Sequence, residues 1–279
     1  MQVEAGTSKL IYLYAFIPTE EYEENPLPHL KGIDPQHSME CIVFDQITAI
    51  TCLVKHEDFS EEVLQKKVEN MGWLQDKAFH HHEKMNALHN RYTVIPLKFG
   101  TLYENEDRVK EVMDTNKEGI MAQFIKLKNQ QEWNVKIYTA KKKFIEEVEV
   151  SSPEIEKKKQ EIKDLPRGKQ YFEKKKMSQF VENEADKEID RFCECFHEQM
   201  TSYSKEEEVK KNWERNLTGR KDDMCWNGAY LIPKEKVEQT LAFIKKIKDE
   251  HENFTFEITG PWPAYHFSNF TERGETNGG

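Results

Sequence analysis

The chain has 279 residues, a net charge of −10, 33% charged side chains and 37% hydrophobic ones. That length is enough for about two domains with cores of their own, and sixteen Phe, ten Tyr and five Trp exclude a disordered chain. The acidic balance argues against nucleic acid as a general partner, and no apolar run approaches the ~20 residues of a membrane span.

In chain order, residues 10–17 are apolar on both alternating faces, the pattern of a central strand. A polar loop with four prolines follows. Residues 41–44 and 47–54 then form a hairpin across Asp45-Gln46, a turn that lacks the usual glycine. Asp58 or Ser60 caps the next helix, which breaks near Asn70-Met71-Gly72. A second helix carries Leu74, Ala78, His81, Met85, Leu88 and Tyr92 on one stripe. Residues 93–99 read as a strand ending at Gly100, and residues 106–127 as one helix. This is an α+β domain over 1–130.

The second domain, 131–267, opens with a strand at 133–138 and a charged helical insertion around 141–168. From Lys169 a very long helix places Met177, Val181, Ala185, Ile189, Phe192, Phe196, Met200 and Tyr203 at spacings of three and four. Residues 209–217 and 224–232 read as a hairpin, Pro233 opens a helix over 234–250, and Phe254, Phe256 and Ile258 alternate along a last strand. The order β-α-β-β-α-β is the ferredoxin-like one. The expected fold class is therefore α+β in two domains, the first related to the second but with a smaller sheet. Residues 268–279 read as a disordered tail.

Chemistry-bearing motifs are few. His80-His81-His82-Glu83 with His89 is the one constellation resembling a metal site. It fails the zincin spacing, because Asn86 stands where the second histidine is needed. His81 falls in the apolar stripe and Glu83 on the opposite side, so no metal is expected. Cys41 and Cys52 fall diagonally on the hairpin, too far apart for an unstrained disulfide. Cys193 and Cys195 point to opposite sides of a helix. No nucleophile elbow, P-loop or dinucleotide fingerprint is present, so neither a catalytic residue nor a cofactor is nominated. The lysine triplets at 141–143, 157–159 and 174–176 are mixed with glutamate and read as solvated helix faces. The lack of a targeting segment places the protein in the cytoplasm.

Several ordered blocks resemble the GvpF/GvpL family of gas vesicle proteins. Val94-Ile95-Pro96-Leu97-Lys98-Phe99-Gly100-Thr101 is similar to its Val-x-Pro-Leu-Arg-Phe-Gly-Thr block, with His82-Glu83 in the family's position on the helix before it. Glu132-Trp133-Asn134-Val135-Lys136, Gly168-Lys169-Gln170-Tyr171-Phe172 and Asn227-Gly228-Ala229-Tyr230-Leu231-Ile232 look like three further blocks. Gly260-Pro261-Trp262-Pro263-Ala264-Tyr265 resembles the family's closing Gly-Pro-Trp-Pro-Pro-Tyr. Lys98 departs from a frequent Arg and cannot reproduce a bidentate contact. Ala264 replaces Pro and removes one restraint from the arm's end, and His266 replaces a small polar residue.

The resemblance implies a non-enzymatic accessory protein of gas vesicle assembly, cytoplasmic and associated with gas vesicles. Its implied partners are the hydrophobic shell protein and other accessory gas vesicle proteins, with no nucleic acid and no membrane. The family-motif positions, structural or partner-binding, are Pro96, Lys98, Phe99, Gly100, Trp133, Asn227, Gly260, Pro261, Trp262, Pro263 and Tyr265. The two prolines around Trp262 stiffen a terminal arm, and Trp262 is expected to pack on the second domain. The rival readings are a small-ligand binder or enzyme on a ferredoxin-like scaffold, and a nucleic-acid module built on the lysine triplets.

Overall fold

The computed structural model describes residues 9–67 and 69–268, so the expected tail lies, from Asn269 on, outside the described residues. The chain forms two compact units. One comprises the residues up to Glu132 together with those from Pro261 onward, and the other is Trp133–Gly260. The terminal arm is thus counted with the first unit, whereas the sequence reading had assigned all of 131–267 to the second domain.

The first unit is organised on β1 (Lys9–Pro18), whose seven residues from Ile11 to Ile17 are all buried. A short helix, α1 (Thr19–Glu24), follows it, and the Glu21 carboxylate accepts the Thr93 backbone N–H at 2.5 Å and its hydroxyl at 2.8 Å. Strands β2 (Met39–Phe44) and β3 (Ile47–Lys55) form the hairpin. Asp45, at φ 52°, takes the left-handed turn position usually given to glycine, since short polar side chains tolerate that region. Cys41 pairs with Ile50 and Met39 with Cys52, so the two cysteines are diagonal; both are free thiols whose pKa burial raises to about 11.

Helices α2 (His56–Phe59), α3 (Glu61–Lys67) and α4 (Met71–His89) follow. The break before α4 is a cap: the Asn70 side chain accepts the Trp73 backbone N–H at 3.2 Å. The expected strand at 93–99 shrinks to β4 (Ile95–Pro96), with β5 (Leu102–Tyr103) beyond the turn. Pro96 sits opposite Ala15, and the Leu97 N–H still reaches the Tyr14 carbonyl at 2.9 Å before the chain turns away towards Gly100. Residues 106–127 are two helices, α5 (Glu106–Thr115) and α6 (Lys117–Leu127). The Asn116 side chain bonds the Val112 carbonyl at 2.8 Å, which favours ending one helix over continuing it. The sheet order is β2-β3-β1-β4, with β5 also on β1, so this sheet has five strands and is not the smaller of the two, as expected, because the turn at Gly100 returns β5 to the central strand. Helix α4 buries Met85 and Leu88 against Tyr12 and Tyr14, and α6 packs on β1 and β3, so both faces of the central strand are dry.

The second unit is built on β6 (Gln130–Thr139), followed by α7 (Lys141–Ser151), α8 (Pro153–Lys163) and the 35-residue α9 (Arg167–Thr201). Next come β7 (Glu206–Val209), α10 (Arg215–Thr218) and β8 (Asp223–Pro233). A 3₁₀ turn then leads into α11 (Val237–Glu250) and β9 (Phe254–Trp262). The sheet order is β7-β8-β6-β9. Counted from its own first strand, each unit's sheet therefore runs second, third, first, fourth. The first strand of the second hairpin lies earlier than expected, at Glu206–Val209. Residues 210–222 are instead a connection holding α10, which ends at Gly219 in the left-handed region (φ 65°). A short, acidic edge strand limits further pairing.

Helix α9 changes partner along its length. Ile189, Cys193, Phe196 and Met200 join Val135, Ile137, Tyr230, Ile244 and Phe256 in the core over the sheet. Val181 and Ala185 pack instead on Val148 of α7 and Ile155 of α8. Ser152 caps α8, with Pro153 in its first turn, where a missing N–H costs nothing. The helical insertion is therefore a second small core that holds up the N-terminal half of α9.

Phe196 is 2% exposed and Phe172, on the same helix, 65%. Replacing Phe196 by Ala is expected to cost about 3–5 kcal/mol, and Phe172→Ala less than about 0.5 kcal/mol. Urea denaturation of the two variants checks this; equal costs would contradict the two-part packing of α9.

Candidate functional site

Four of the sequence features above meet in the first unit, around two neighbouring histidines of α4. His81 lies on the apolar stripe and is 5% exposed. Its Nδ1 accepts the hydroxyl of Tyr12 at 2.8 Å, and the Tyr12 oxygen in turn accepts the backbone N–H of Gly100 at 3.2 Å. The imidazole stacks on Tyr14 (centroids 5.5 Å, 12° between planes) and meets Phe99 edge-on at 5.9 Å. Burial holds the Tyr12 phenol far above its ordinary pKa, so it stays a neutral donor. Burial likewise lowers the His81 pKa to about 4, keeping the ring neutral.

The turn after β4 is what brings Gly100 there. The Leu97 N–H bonds the Tyr14 carbonyl at 2.9 Å, and the Lys98 carbonyl accepts Thr101 through both its N–H (3.2 Å) and its hydroxyl (2.7 Å). Gly100 has φ 85°, a conformation that favours glycine. Pro96 is buried and pairs with Ala15, while the Lys98 side chain is exposed. At position 98 the structural contribution is thus the backbone, which a Lys provides as well as an Arg.

His82, one residue on, points to the other flank of α4 and receives the terminal arm. Trp262 lies against its ring (centroids 5.1 Å) and Tyr265 stacks at 6.2 Å. The Asn86 amide donates to Nε2 at 3.0 Å, which leaves Nδ1–H to donate to the Tyr265 oxygen at 3.4 Å. The arm starts at Gly260, whose φ of 150° lies outside the range most side chains adopt. It runs extended through Pro261 and half-buried Trp262, then buries Pro263, Ala264 and Phe267. Ala264 is a working part of the closing turn, its carbonyl accepting the Ser268 N–H at 2.9 Å and hydroxyl at 2.6 Å.

The arm has a second anchor that the sequence did not reveal. Glu132 is 1% exposed, and its two oxygens accept the backbone N–H of His266 at 2.9 Å and its ring Nδ1–H at 2.6 Å. His266 stands where the family pattern has a small polar residue, so pattern matching alone passed over it. No local signal marks the pair, whose members stand 134 positions apart. Trp262 thus packs in the first unit, not on the second domain as expected, because residues from Pro261 onward return to α4.

The remaining candidates lie in the second unit and serve its own core. Trp133 is half-buried beside the sheet. Asn227 is 1% exposed; its side-chain amide donates to the Lys211 carbonyl at 2.9 Å, and its backbone carbonyl accepts the Lys210 N–H at 2.8 Å. Those bonds hold residues 210–211 to β8 beyond the end of β7. Gly228 is needed beside it, since an added Cβ would lie 2.9 Å from both the Trp226 and Tyr230 rings. Glu83, the other member of the histidine cluster, pairs with Lys84 at 3.1 Å, so His81, His82 and Glu83 serve three different partners. Among the described residues no group of three His, Cys, Asp or Glu is arranged to hold a metal ion.

Comparison with known proteins agrees with the chain-long distribution of these blocks. The family model described as gas vesicle synthesis protein GvpL/GvpF matches residues 10–269. Gas vesicle protein L of Streptomyces sp. (strain CB03234) is 22% identical over 273 residues, 96% of each chain. Among solved structures, GvpF from Anabaena sp. PCC7120 superposes with a TM-score of 0.70 at 20% identity, covering 95% of this chain and 100% of that one. GvpF from Microcystis aeruginosa gives 0.63 at 19% identity, covering 94% and 99%.

Two outcomes are expected. An unfolded histidine takes up a proton near pH 6.5, whereas His81 resists to about pH 4. The unfolded state therefore binds more protons in that window. The contribution of His81 costs nothing above pH 6.5 and removes about 2–4 kcal/mol of stability as the pH falls to 4. Urea midpoints across this range should show the slope, and His81→Gln should flatten it. Trp262→Ala should cost about 1–2 kcal/mol, as fits half-burial. A double-mutant cycle with His82→Ala should give a coupling of ~0.5–1.5 kcal/mol; zero coupling would mean that the two rings do not support each other.

Proposed function

The chain belongs to the GvpL/GvpF family of gas vesicle synthesis proteins and so has a part in gas vesicle assembly; from that premise we propose that it acts as an accessory factor that binds the hydrophobic shell protein, other accessory gas vesicle proteins, or both, in the cytoplasm at the growing vesicle. The observation that carries this reading is the match of one family over residues 10–269. The physical need is plain. A gas-filled shell presents an apolar inner surface, so its subunits are prone to aggregate before they assemble. A partner that shields or delivers them requires a binding surface and no catalytic centre. Among the described residues no helix is long and apolar enough to cross a membrane.

Within this proposal the family-motif residues divide by exposure. Pro96, Phe99, Gly100, Trp133, Asn227, Gly260, Trp262 and Pro263 hold backbone or core positions, and their role in binding is indirect. Lys98, Pro261 and Tyr265, the last 38% exposed, are the motif positions that can face a partner.

Co-expression of the tagged chain with the shell protein, and separately with each accessory protein of the same gene set, tests the proposal. At least one is expected to co-purify. Lys98→Glu should reduce the yield severalfold with an unchanged melting temperature, because its side chain is exposed and only its backbone serves the fold, whereas Tyr265→Ser and Trp262→Ala should lower both. Failure to retain any of these proteins would overturn the reading.

A further inference from the structure

One block keeps its aromatic side chains out of every core: Gly168-Lys169-Gln170-Tyr171-Phe172, at the hairpin between α8 and α9, where the Gln170 amide donates to the Lys163 and Leu165 carbonyls at 3.0 and 2.8 Å. From Lys163 to Lys176 no residue is buried. A Cβ added to Gly168 would meet nothing within 4 Å. Tyr171 and Phe172 are 66% and 65% exposed and pack only edge-to-face on each other, 5.7 Å apart. Phe172 also borders an open cavity of about 360 Å³ together with Ile162 and Leu165. The tip is basic as well. Residues 157–176 hold nine Lys or Arg against three Asp or Glu, a local charge of +6 in a chain of net −10.

The same unit carries a surface of opposite character. Where α7, α9 and the start of β9 come together, a cavity of about 560 Å³ opens over Phe144, Phe192 and Phe254. Phe192 stacks on Phe254 with centroids 3.8 Å apart, and Phe144 lies 5.5 Å from it. Glu188, Glu250 and Glu252 line the mouth. Lys143 and Glu147 line it too and pair with each other at 3.6 Å, while Glu188 pairs with Arg191 at 2.9 Å and Glu250 with Lys246 at 3.7 Å; the lining itself holds four carboxylates against one ammonium. The volume is in the ~300–1,000 Å³ range of occupied pockets.

We propose that the Tyr171-Phe172 tip of one chain docks into this acidic, phenylalanine-floored cavity of a second copy. Charge and surface type match on both sides: aromatic against aromatic at the centre, lysine against glutamate at the rim. A chain cannot satisfy the contact by itself. Phe172 and Phe192 are twenty residues apart on one helix, about 30 Å at 1.5 Å per residue. Two copies lying antiparallel can exchange tips and close as a pair, and copies that do not close repeat the contact head to tail. A nucleic-acid or anionic lipid surface fits less well. Glu161, Asp164 and Glu173 are interleaved with the tip's lysines, and the rest of the chain is strongly acidic.

Sedimentation velocity over ~1–200 µM, the range suited to a small electrostatic contact, tests this. The sedimentation coefficient should rise with concentration at low salt and flatten at ~0.5 M salt. Tyr171→Ser with Phe172→Ser, Lys158→Glu with Lys169→Glu, and Glu188→Lys with Glu252→Lys should each weaken association at least tenfold at an unchanged melting temperature. A chain carrying both charge-reversed pairs should recover it. A monomer at every concentration would overturn the proposal, as would association that survives the aromatic or single-side reversals, or no recovery in the combined variant. Tip-dependent binding to a DNA duplex or to phosphatidylserine vesicles without self-association would also overturn it, and would assign the tip to that partner.

Discussion

Burying the hydroxyl of Tyr12 with both of its hydrogen-bonding capacities met is the constraint around which the first unit is arranged. An unpaired phenol at the centre of a sheet would cost about 1–3 kcal/mol. Its donor capacity requires a neutral imidazole from α4, and its acceptor capacity a free N–H from the turn after β4. Those two demands place α4 over β1 and draw the backbone at Gly100 in beneath it. The left-handed conformation there, the short β4 and the edge-on Phe99 follow from that placement. The Pro-Leu-Lys-Phe-Gly block is thus a device for delivering one backbone donor to one buried oxygen.

Once His81 points inward, helix geometry turns His82 onto the adjacent flank, and that ring becomes the platform for the arm. Two prolines reduce the entropy lost when the arm is held. The Glu132 carboxylate, placed just before the chain enters the second unit, fixes the arm's far end through His266. Core packing, the histidine pair and the terminal signature are therefore one connected arrangement, and a change at any of them is transmitted to the others by contact.

The second unit separates two tasks that a single long helix would otherwise mix. One end of α9 completes the core over the sheet, and the middle is supported by α7 and α8. The remaining end needs no burial for stability, which leaves its aromatic and basic side chains free to act as a surface. Charge is segregated in the same way, basic at the tip and acidic around the cavity.

Much of this was legible in local pattern. A run apolar on both faces marked β1, alternation marked β9, the three-and-four spacing marked α4, α9 and α11, and ordered blocks identified the family, because each rests on nearest-neighbour geometry that the chain carries with it. Boundaries were less legible where a side chain competes with the backbone. Asn116 split a helix, and Asp45 took the place usual for a glycine. What only the tertiary structure decided was where distant segments land. Nothing local says that Trp262 returns to α4, or that His266 meets Glu132 across 134 positions. A stripe of apolar residues states that a face is buried, but the partner is chosen by the packing of the whole chain.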